Sequence, residues 1–384
     1  MSADVVVAGL SFAIWAYLVL GHGGFWCASE RDDRNEPAEP QEWPRIVAVI
    51  PARNEADMLP QSLGSLLAQD YPGELSVILV DDSSDDGTAD VARRIAGSEA
   101  RLTVVAGAPL PAGWTGKLWA VDQGVRAALS REAQPEYLLL TDADIGYSRD
   151  ALRRTVARAK AGGFVLTSLM AQLRCDSLAE RALIPAFVFF FEMLYPFAWV
   201  NDRRRATAAA AGGSMLVEAG ALEKAGGIGA IRAALIDDCA LGARMKAHGP
   251  IWLGLTHRVT SLRPYPNLSD IRRMVARSAY AQLKFSPLLL AGTVAGLSLV
   301  YIAPPLLAFF GTGPARALAV SAWGLMTLAF LPILRFYRLS PVWAPALPAI
   351  AATYMTFTID SAIQHWQGRG GMWKGRAQAI AGKG

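Results

Sequence analysis

The stretch Leu75-Ser76-Val77-Ile78-Leu79-Val80-Asp81-Asp82-Ser83-Ser84-Asp85-Asp86-Gly87-Thr88 changes its chemistry at Asp81. The first half is a short run rich in Val, Ile and Leu, the pattern of a strand buried on both faces. The second half gathers carboxylates, and Gly87 with Thr88 then turns the chain into a helix. Outward from this stretch the alternation repeats. Ile46–Pro51, Leu102–Ala106, Tyr137–Thr141 and Phe164–Ser168 read as further strands. Met58–Gln69, Gly87–Ala96, Leu118–Ser130 and Arg149–Ala161 carry apolar residues at helical spacing. Strand–helix alternation of this kind predicts an α/β domain on a mainly parallel sheet. Such sheets bind their ligands at the carboxyl ends of the strands.

Three polar motifs fall on that edge. The Asp81–Asp86 carboxylates can accept hydrogen bonds from a ribose or nucleobase; as a bare acidic turn they would only cap the next helix. Thr141-Asp142-Ala143-Asp144 ends the fourth predicted strand. Two carboxylates spaced i and i+2 can converge there on one hard cation, Mg²⁺ or Mn²⁺, whose other ligands are substrate phosphates and water. A lone D-x-D triplet arises by chance in many loops. Two acidic clusters at equivalent strand ends, about 60 residues apart, reinforce each other. Pro51-Ala52-Arg53-Asn54-Glu55 closes the first strand. Gly116-Lys117 invites a P-loop reading that fails, because Pro111 stands where the first glycine belongs and Leu118 where Ser or Thr should follow. Lys117 can still meet a diphosphate as a point charge.

Composition adds a second character. Of the 384 residues 53% are hydrophobic and only 18% charged, against about 25% charged in ordinary soluble domains. Val5 to Trp26 is long enough to cross ~30 Å of hydrocarbon. It lacks a basic n-region and a small-residue cleavage site, so it reads as an uncleaved anchor. Pro287–Phe310, Ala317–Leu334 and Val342–Ile363 are also of spanning length. Ala182–Val200 is apolar too, but it contains Pro185, Glu192 and Pro196 and reads as an interfacial or partly buried segment. The three cysteines are widely spaced and odd in number, which argues against a disulfide framework or a zinc site. Basic residues cluster beside hydrophobic segments without a recognisable nucleic-acid module, which excludes nucleic-acid binding as the expectation. No protein partner is predicted.

Taken together these motifs resemble the family 2 glycosyltransferases of the GT-A fold, over roughly Arg45 to Lys284. Two later segments carry the resemblance further. Gly212-Gly213-Ser214-Met215-Leu216-Val217 is similar to the acceptor-side strand of that family, and Asp237-Asp238-Cys239-Ala240-Leu241-Gly242 to its acidic pair, usually Glu-Asp. Gly113–Ala120, Leu262-Arg263-Pro264-Tyr265 and Met372–Arg376 resemble the hopanoid-biosynthesis-associated glycosyltransferases, related to ceramide glucosyltransferases. The Gln/Arg-x-x-Arg-Trp motif of many membrane members is not kept. Arg272–Ser278 retains Arg277 without its expected partners, which argues against a polysaccharide synthase. The same stretch also reads as a basic interfacial helix.

The resemblance implies an inverting displacement with Asp238 as the base. A Mg²⁺ or Mn²⁺ ion would be held by Asp144 with Asp142 nearby. Asp82 would contact the nucleoside and Lys117 the diphosphate or base, with Pro51, Arg53, Glu55 and Asp142 also on the donor side. Gly213, Ser214, Asp237, Arg273 and Arg277 would face the acceptor or diphosphate. His257 reads as a structural histidine ahead of a third metal contact. The donor would be a nucleotide sugar, a UDP-sugar first. The acceptor would be a lipid, of hopanoid or other isoprenoid or sphingolipid-like kind. A polyprenyl-phosphate acceptor is the runner-up, and a transporter with a nucleotide-binding domain the reading outside enzymes.

The expected organisation is an anchor over 1–27, a linker over 28–44 and the GT-A domain over 45–266. A basic interfacial helix over 267–286, a transmembrane region over 287–365 and a basic tail over 366–384 follow. A bacterial inner-membrane protein with its catalytic domain in the cytoplasm is the implied placement. The basic tail sits awkwardly with that topology under the positive-inside rule.

Overall fold

A computed structural model of the chain describes residues 2–97, 101–368, 372–373 and 376–377. The basic tail lies largely outside the described residues, as do Lys374 and Gly375 of the Met372–Arg376 motif. The chain divides into two compact units. One comprises Glu30–Arg174 and Trp199–Pro264 with the described residues 372–373 and 376–377; the other takes the segment up to Ser29, Cys175–Ala198 and residues 265–368.

The first unit is the α/β domain. Its strands are β1 (Ile46–Ala52), β2 (Leu75–Asp81), β3 (Leu102–Ala106), β4 (Tyr137–Thr141), β5 (Ile145–Tyr147), β6 (Leu166–Gln172), β7 (Ser214–Glu218) and β8 (Ile251–Ser261). They form one sheet in the order β3-β2-β1-β4-β7-β6-β8-β5. β3, β2, β1 and β4 run parallel, as do β6 and β8, while β7 and β5 pair antiparallel with their neighbours. The first four strands begin and end within a residue of the pattern in the sequence. The fifth slides toward Gln172, because Phe164 and Val165 lead into the strand through bonds to Ala159 and Pro250 carbonyls. Strand order reverses direction between β1 and β4, so the carboxyl ends of these two strands flank the crevice where such sheets take ligands.

Every residue of β1 and β4 is buried. The helix Gly116–Leu129 packs over β1 and β2. Gly124 makes this approach possible: a Cβ there would overlap Val49 Cγ1 and lie 3.1 Å from Val80 Cγ2. Thr115 caps the helix through Leu118 N, which fixes where Lys117 leaves it.

Residues 30–36, expected as a linker, are built into this unit. Arg31 bridges to Leu255 beside β8. Asp32 is buried, accepts from Thr256 Oγ1 at 2.7 Å and pairs with Arg258 at 3.3 Å. Arg158 donates to the carbonyls of Asp32 and Arg34 and lies 4.4 Å over the Trp252 ring.

The second unit is helical. Four of its helices are long and apolar enough to cross a membrane: Ala3–Gly21, Pro287–Phe310, Gly313–Phe336 and Pro341–Trp366. The apolar segment around Ala182 forms the helix Leu178–Leu194 and belongs with them. A capping box of Ser177 and Glu180 starts it, and Phe189 and Phe190 pack against Phe330 and Tyr354 at ring distances of 5.4 and 5.2 Å. Pro304 and Pro305 lack the N–H groups that would bond backward along their helix, and a π turn, Ser298–Ile302, precedes them. The Val300 carbonyl left over accepts the Trp15 indole N–H at 2.9 Å.

Close packing at Gly124 gives a direct check. Gly124→Ala should destabilise the α/β unit by about 1–3 kcal/mol through overpacking, less ~1 kcal/mol regained in helix propensity. Gly64→Ala, in the helix Leu59–Leu67 with nothing within 4 Å of the new methyl, should leave the melting temperature unchanged or raise it. Equal melting of the two variants would contradict the packing described.

Candidate functional site

The carboxyl ends of β1, β2 and β4 collect the expected motifs. β1 pairs with β2 so that Ala52 stands opposite Asp81. Beyond that register the two loops lace together. Asn54 N donates to Ser84 Oγ at 3.0 Å and Asp85 N to Asn54 Oδ1 at 3.0 Å. Glu55 N donates to Thr88 Oγ1 at 2.9 Å and Ala56 N to Asp86 Oδ2 at 3.0 Å. Asp86 also accepts from Thr88 N, so Asp86 and Thr88 organise the turn. Asp82 is buried beside Arg53, which donates to the Asp82 and Ser83 carbonyls and lies 3.9 Å from the Asp82 carboxylate.

At the end of β4, Asp142 meets Lys117. Lys117 Nζ lies 2.9 Å from Asp142 Oδ1 and 3.2 Å from Asp237 Oδ2. One concavity is lined by Pro51, Lys117, Asp142, Gly212 and Asp237 together with apolar side chains. Burial opposes the charge on Lys117, but Asp142, Asp237 and Asp238 outweigh it and hold the ammonium well above its ordinary value. Burial raises Asp142, against the pull of Lys117 and with the push of Asp144.

Asp238 sits in the first turn of the helix Asp237–Lys246. Its carboxylate accepts from Gly212 N at 2.9 Å and Cys239 N at 2.7 Å. Burial and the neighbouring Asp237 push it up to about 6, against Lys117 and the two backbone N–H groups. Such a carboxylate favours its neutral form in the fold. Its contribution to stability is greatest at acid pH and is lost as pH rises through about 6.

Asp144 points to a different cation. Arg263 Nε donates to Asp144 Oδ2 at 2.8 Å, and its Nη2 donates to Glu55 Oε1 and Oε2 at 2.9 and 2.6 Å. Leu262-Arg263-Pro264-Tyr265 stood out in the sequence by resemblance, but without a role for Arg263. Gly213 packs on Ile145, its carbonyl accepting from Thr141 Oγ1. Ser214 is buried and bonded to Tyr147. Arg273 and Arg277 belong to the helical unit, where both are exposed and Arg273 pairs with Asp270. His257 lies within β8 rather than after it, and its Nδ1 is hydrogen-bonded to Gln172 Oε1 at 3.1 Å. Among the described residues no three His, Cys, Asp or Glu side chains gather as a metal cage.

The donor set still fits a hard cation of one particular kind. Two carboxylates suit Mg²⁺ or Mn²⁺ when substrate phosphates supply further oxygens. Each is held through one oxygen, Asp142 by Lys117 and Asp144 by Arg263.

Residues 47–224 match the family described as Glycosyl transferase family 2. A Bacillus subtilis (strain 168) glycosyltransferase, TuaG, named for teichuronic acid biosynthesis, is 29% identical over 140 residues, which is 34% of this chain. The chain spans about half, 50%, of that curated relative's length. Among solved structures, the mannosyltransferase PcManGT from Pyrobaculum calidifontis, in complex with GDP-Man and Mn²⁺, is similar with a TM-score of 0.57. Identity is 20%, and the match covers 95% of this chain and 99% of that one. That likeness establishes the GT-A fold, with its mostly parallel sheet, as the fold of this chain.

The ion-pair geometry predicts how the domain answers to loss of its lysine. Lys117→Met leaves Asp142 and Asp237 without their shared cation and should lower the melting temperature most at pH 8. The deficit should shrink toward pH 5, as the carboxylates take up protons. A deficit that is independent of pH, followed by thermal melts across that range, would refute the electrostatic account.

Proposed function

We propose that this chain transfers a sugar from a nucleotide sugar, a UDP-sugar first among them, to the hydroxyl of a membrane lipid with inversion at the anomeric carbon. The observation that carries the reading is Asp238. It is a carboxylate held near neutrality by burial and fixed by two backbone N–H groups beside the Lys117–Asp142 cluster. A base whose pKa lies near working pH is well matched to removing a proton in the transition state.

Asp238 takes the acceptor's hydroxyl proton as its oxygen bonds to the anomeric carbon. The bond from that carbon to the diphosphate breaks, and the nucleoside diphosphate leaves with the electron pair. Lys117 meets the diphosphate as a fixed positive charge. Asp82, walled by Arg53, takes the nucleoside side. Asp142 and Asp144 would hold Mg²⁺ or Mn²⁺, which when bound neutralises charge on the departing diphosphate.

The balance of charge supports both the cation and the hydroxyl. Glu55, Asp142, Asp144, Asp237 and Asp238 stand against Lys117 and Arg263, a formal excess of three negative charges. A doubly charged diphosphate enters such a site only with added positive charge. An anionic polyprenyl phosphate would meet the same repulsion and needs no base, which favours a neutral hydroxyl acceptor. Four apolar helices in the same chain support a lipid acceptor and a membrane location. A hopanoid or related isoprenoid follows from the resemblance of Gly113–Ala120 and Leu262–Tyr265. The α/β domain is assigned to the cytosolic side, where nucleotide sugars are made.

The test uses full-length protein in mild detergent with UDP- and GDP-sugars, Mn²⁺, Mg²⁺ or EDTA, and a membrane lipid extract. Nucleoside diphosphate release should require lipid and metal, and the glycolipid product should contain no phosphate by mass spectrometry. Asp238→Asn should lower kcat by about 10²-fold or more while still binding donor, and Asp144→Ala should abolish metal-dependent release. kcat/KM of the wild type should fall as pH drops through about 6, because protonated Asp238 cannot accept the proton. Equal turnover by wild type and Asp238→Asn would remove Asp238 as the base.

A further inference from the structure

Arg263 bridges carboxylates on two different loops, Asp144 through Nε and Glu55 through Nη2. Its position is set by the sheet. β5 pairs with β8 so that Ile145 stands opposite Ser261, and Leu262 N continues the ladder to the Asp144 carbonyl at 2.8 Å. Pro264 follows directly, and a residue before proline is confined to extended backbone. The guanidinium then spans from Asp144, through Nε, to Glu55, through Nη2. Glu55 is a firm anchor: it is 7% exposed, and its own N–H is bonded to Thr88 at the start of the helix Thr88–Ala96.

From this geometry we infer that Arg263 is a positioning residue that aims Asp144 at the divalent cation, with Glu55 as the anchor of the clamp rather than a contact of the nucleotide. The inference rests on the transferase reading above. Nε engages Asp144 Oδ2 alone, and Oδ1 accepts no hydrogen bond among the described residues. The clamp therefore fixes the carboxylate's plane while leaving an oxygen to ligate. Partners that orient metal ligands in this way are as much a part of a metal site as the ligands themselves. A lysine keeps the charge but cannot bridge two carboxylates with a planar fork.

Charge and position predict opposite signs, which makes the inference decidable. A positive charge beside a ligand carboxylate repels a cation, so if Arg263 were only a nearby charge, removing it would tighten metal binding. If it positions Asp144, losing the fork loosens binding even when the charge stays.

The experiment measures Mn²⁺ affinity of the full-length protein in detergent, by electron paramagnetic resonance of free Mn²⁺, with UDP or GDP present. Arg263→Lys should bind Mn²⁺ about tenfold or more weakly than wild type, and Arg263→Met should also be weaker despite losing a positive charge. Glu55→Gln, which frees the far end of the clamp with little change of shape, should shift affinity in the same direction and covers the case in which an Arg263 variant fails to fold. Wild-type affinity in Arg263→Lys or Glu55→Gln, or tighter binding in Arg263→Met, overturns the positioning role. Wild-type protein that binds neither Mn²⁺ nor nucleotide overturns the transferase reading and this inference with it. Wild-type binding with unchanged variants overturns this inference alone.

Discussion

Lys117 joins three pieces of chain that lie far apart in the sequence. It leaves the second position of a capped helix, reaches Asp142 at the end of a fully buried strand, and reaches Asp237 at the start of a helix far along the sequence. The bridge also sets Asp238, the next residue, beneath Gly212, whose N–H donates to the Asp238 carboxylate at 2.9 Å. The closeness of Gly124 to β1 and β2 sits upstream of all this, because it fixes the helix that carries the lysine. Packing thus comes first, and the ion pair and the buried setting of Asp238 beside Asp237 follow from it.

The site is under-neutralised by its own cations. Two positive side chains serve several carboxylates, and both are spent holding individual oxygens in place. Burying like charges is costly unless something compensates. Here part of the compensation is protonation, which is why Asp142 and Asp238 are both raised. A bound cation would supply the rest. On the proposed reading, a site with such an excess of negative charge favours a donor arriving with its metal over a free diphosphate.

Much of this was legible in the sequence because parallel strands write themselves as apolar runs. Ile46–Pro51, Leu75–Asp81, Leu102–Ala106 and Tyr137–Thr141 announce both their own edges and the polar residues just past them. β5 carries no such signal. It is three residues, Ile145–Tyr147, immediately after the acidic triplet, and it exists because β8 offers it an antiparallel edge. Arg263 depends on that pairing; its motif Leu262–Tyr265 stood out by resemblance, but its partners Asp144 and Glu55 were unreadable for the same reason. A side chain that works through register across a sheet leaves no local pattern. The linker shows the converse case. Residues 30–36 look solvated by composition, yet Asp32 and Glu36 are drawn in by Arg258, a partner more than two hundred positions later.

The helical unit makes a related point about apolar segments. Length and hydropathy mark its long helices but do not distinguish an interchangeable anchor from a structural member. Pro304 and Pro305 remove consecutive donors, and the carbonyl at Val300 would stand unsatisfied in an apolar setting, where each such group costs several kcal/mol. The Trp15 indole N–H answers it, and the same ring meets Tyr301 edge-on at 5.4 Å. Tyr301 in turn touches Met193 and Phe190 of the helix Leu178–Leu194. A generic hydrophobic helix in place of Ala3–Gly21 would lack that donor at that height. The first helix is therefore specified by a defect in another helix, and a hydropathy count of spans does not capture its role.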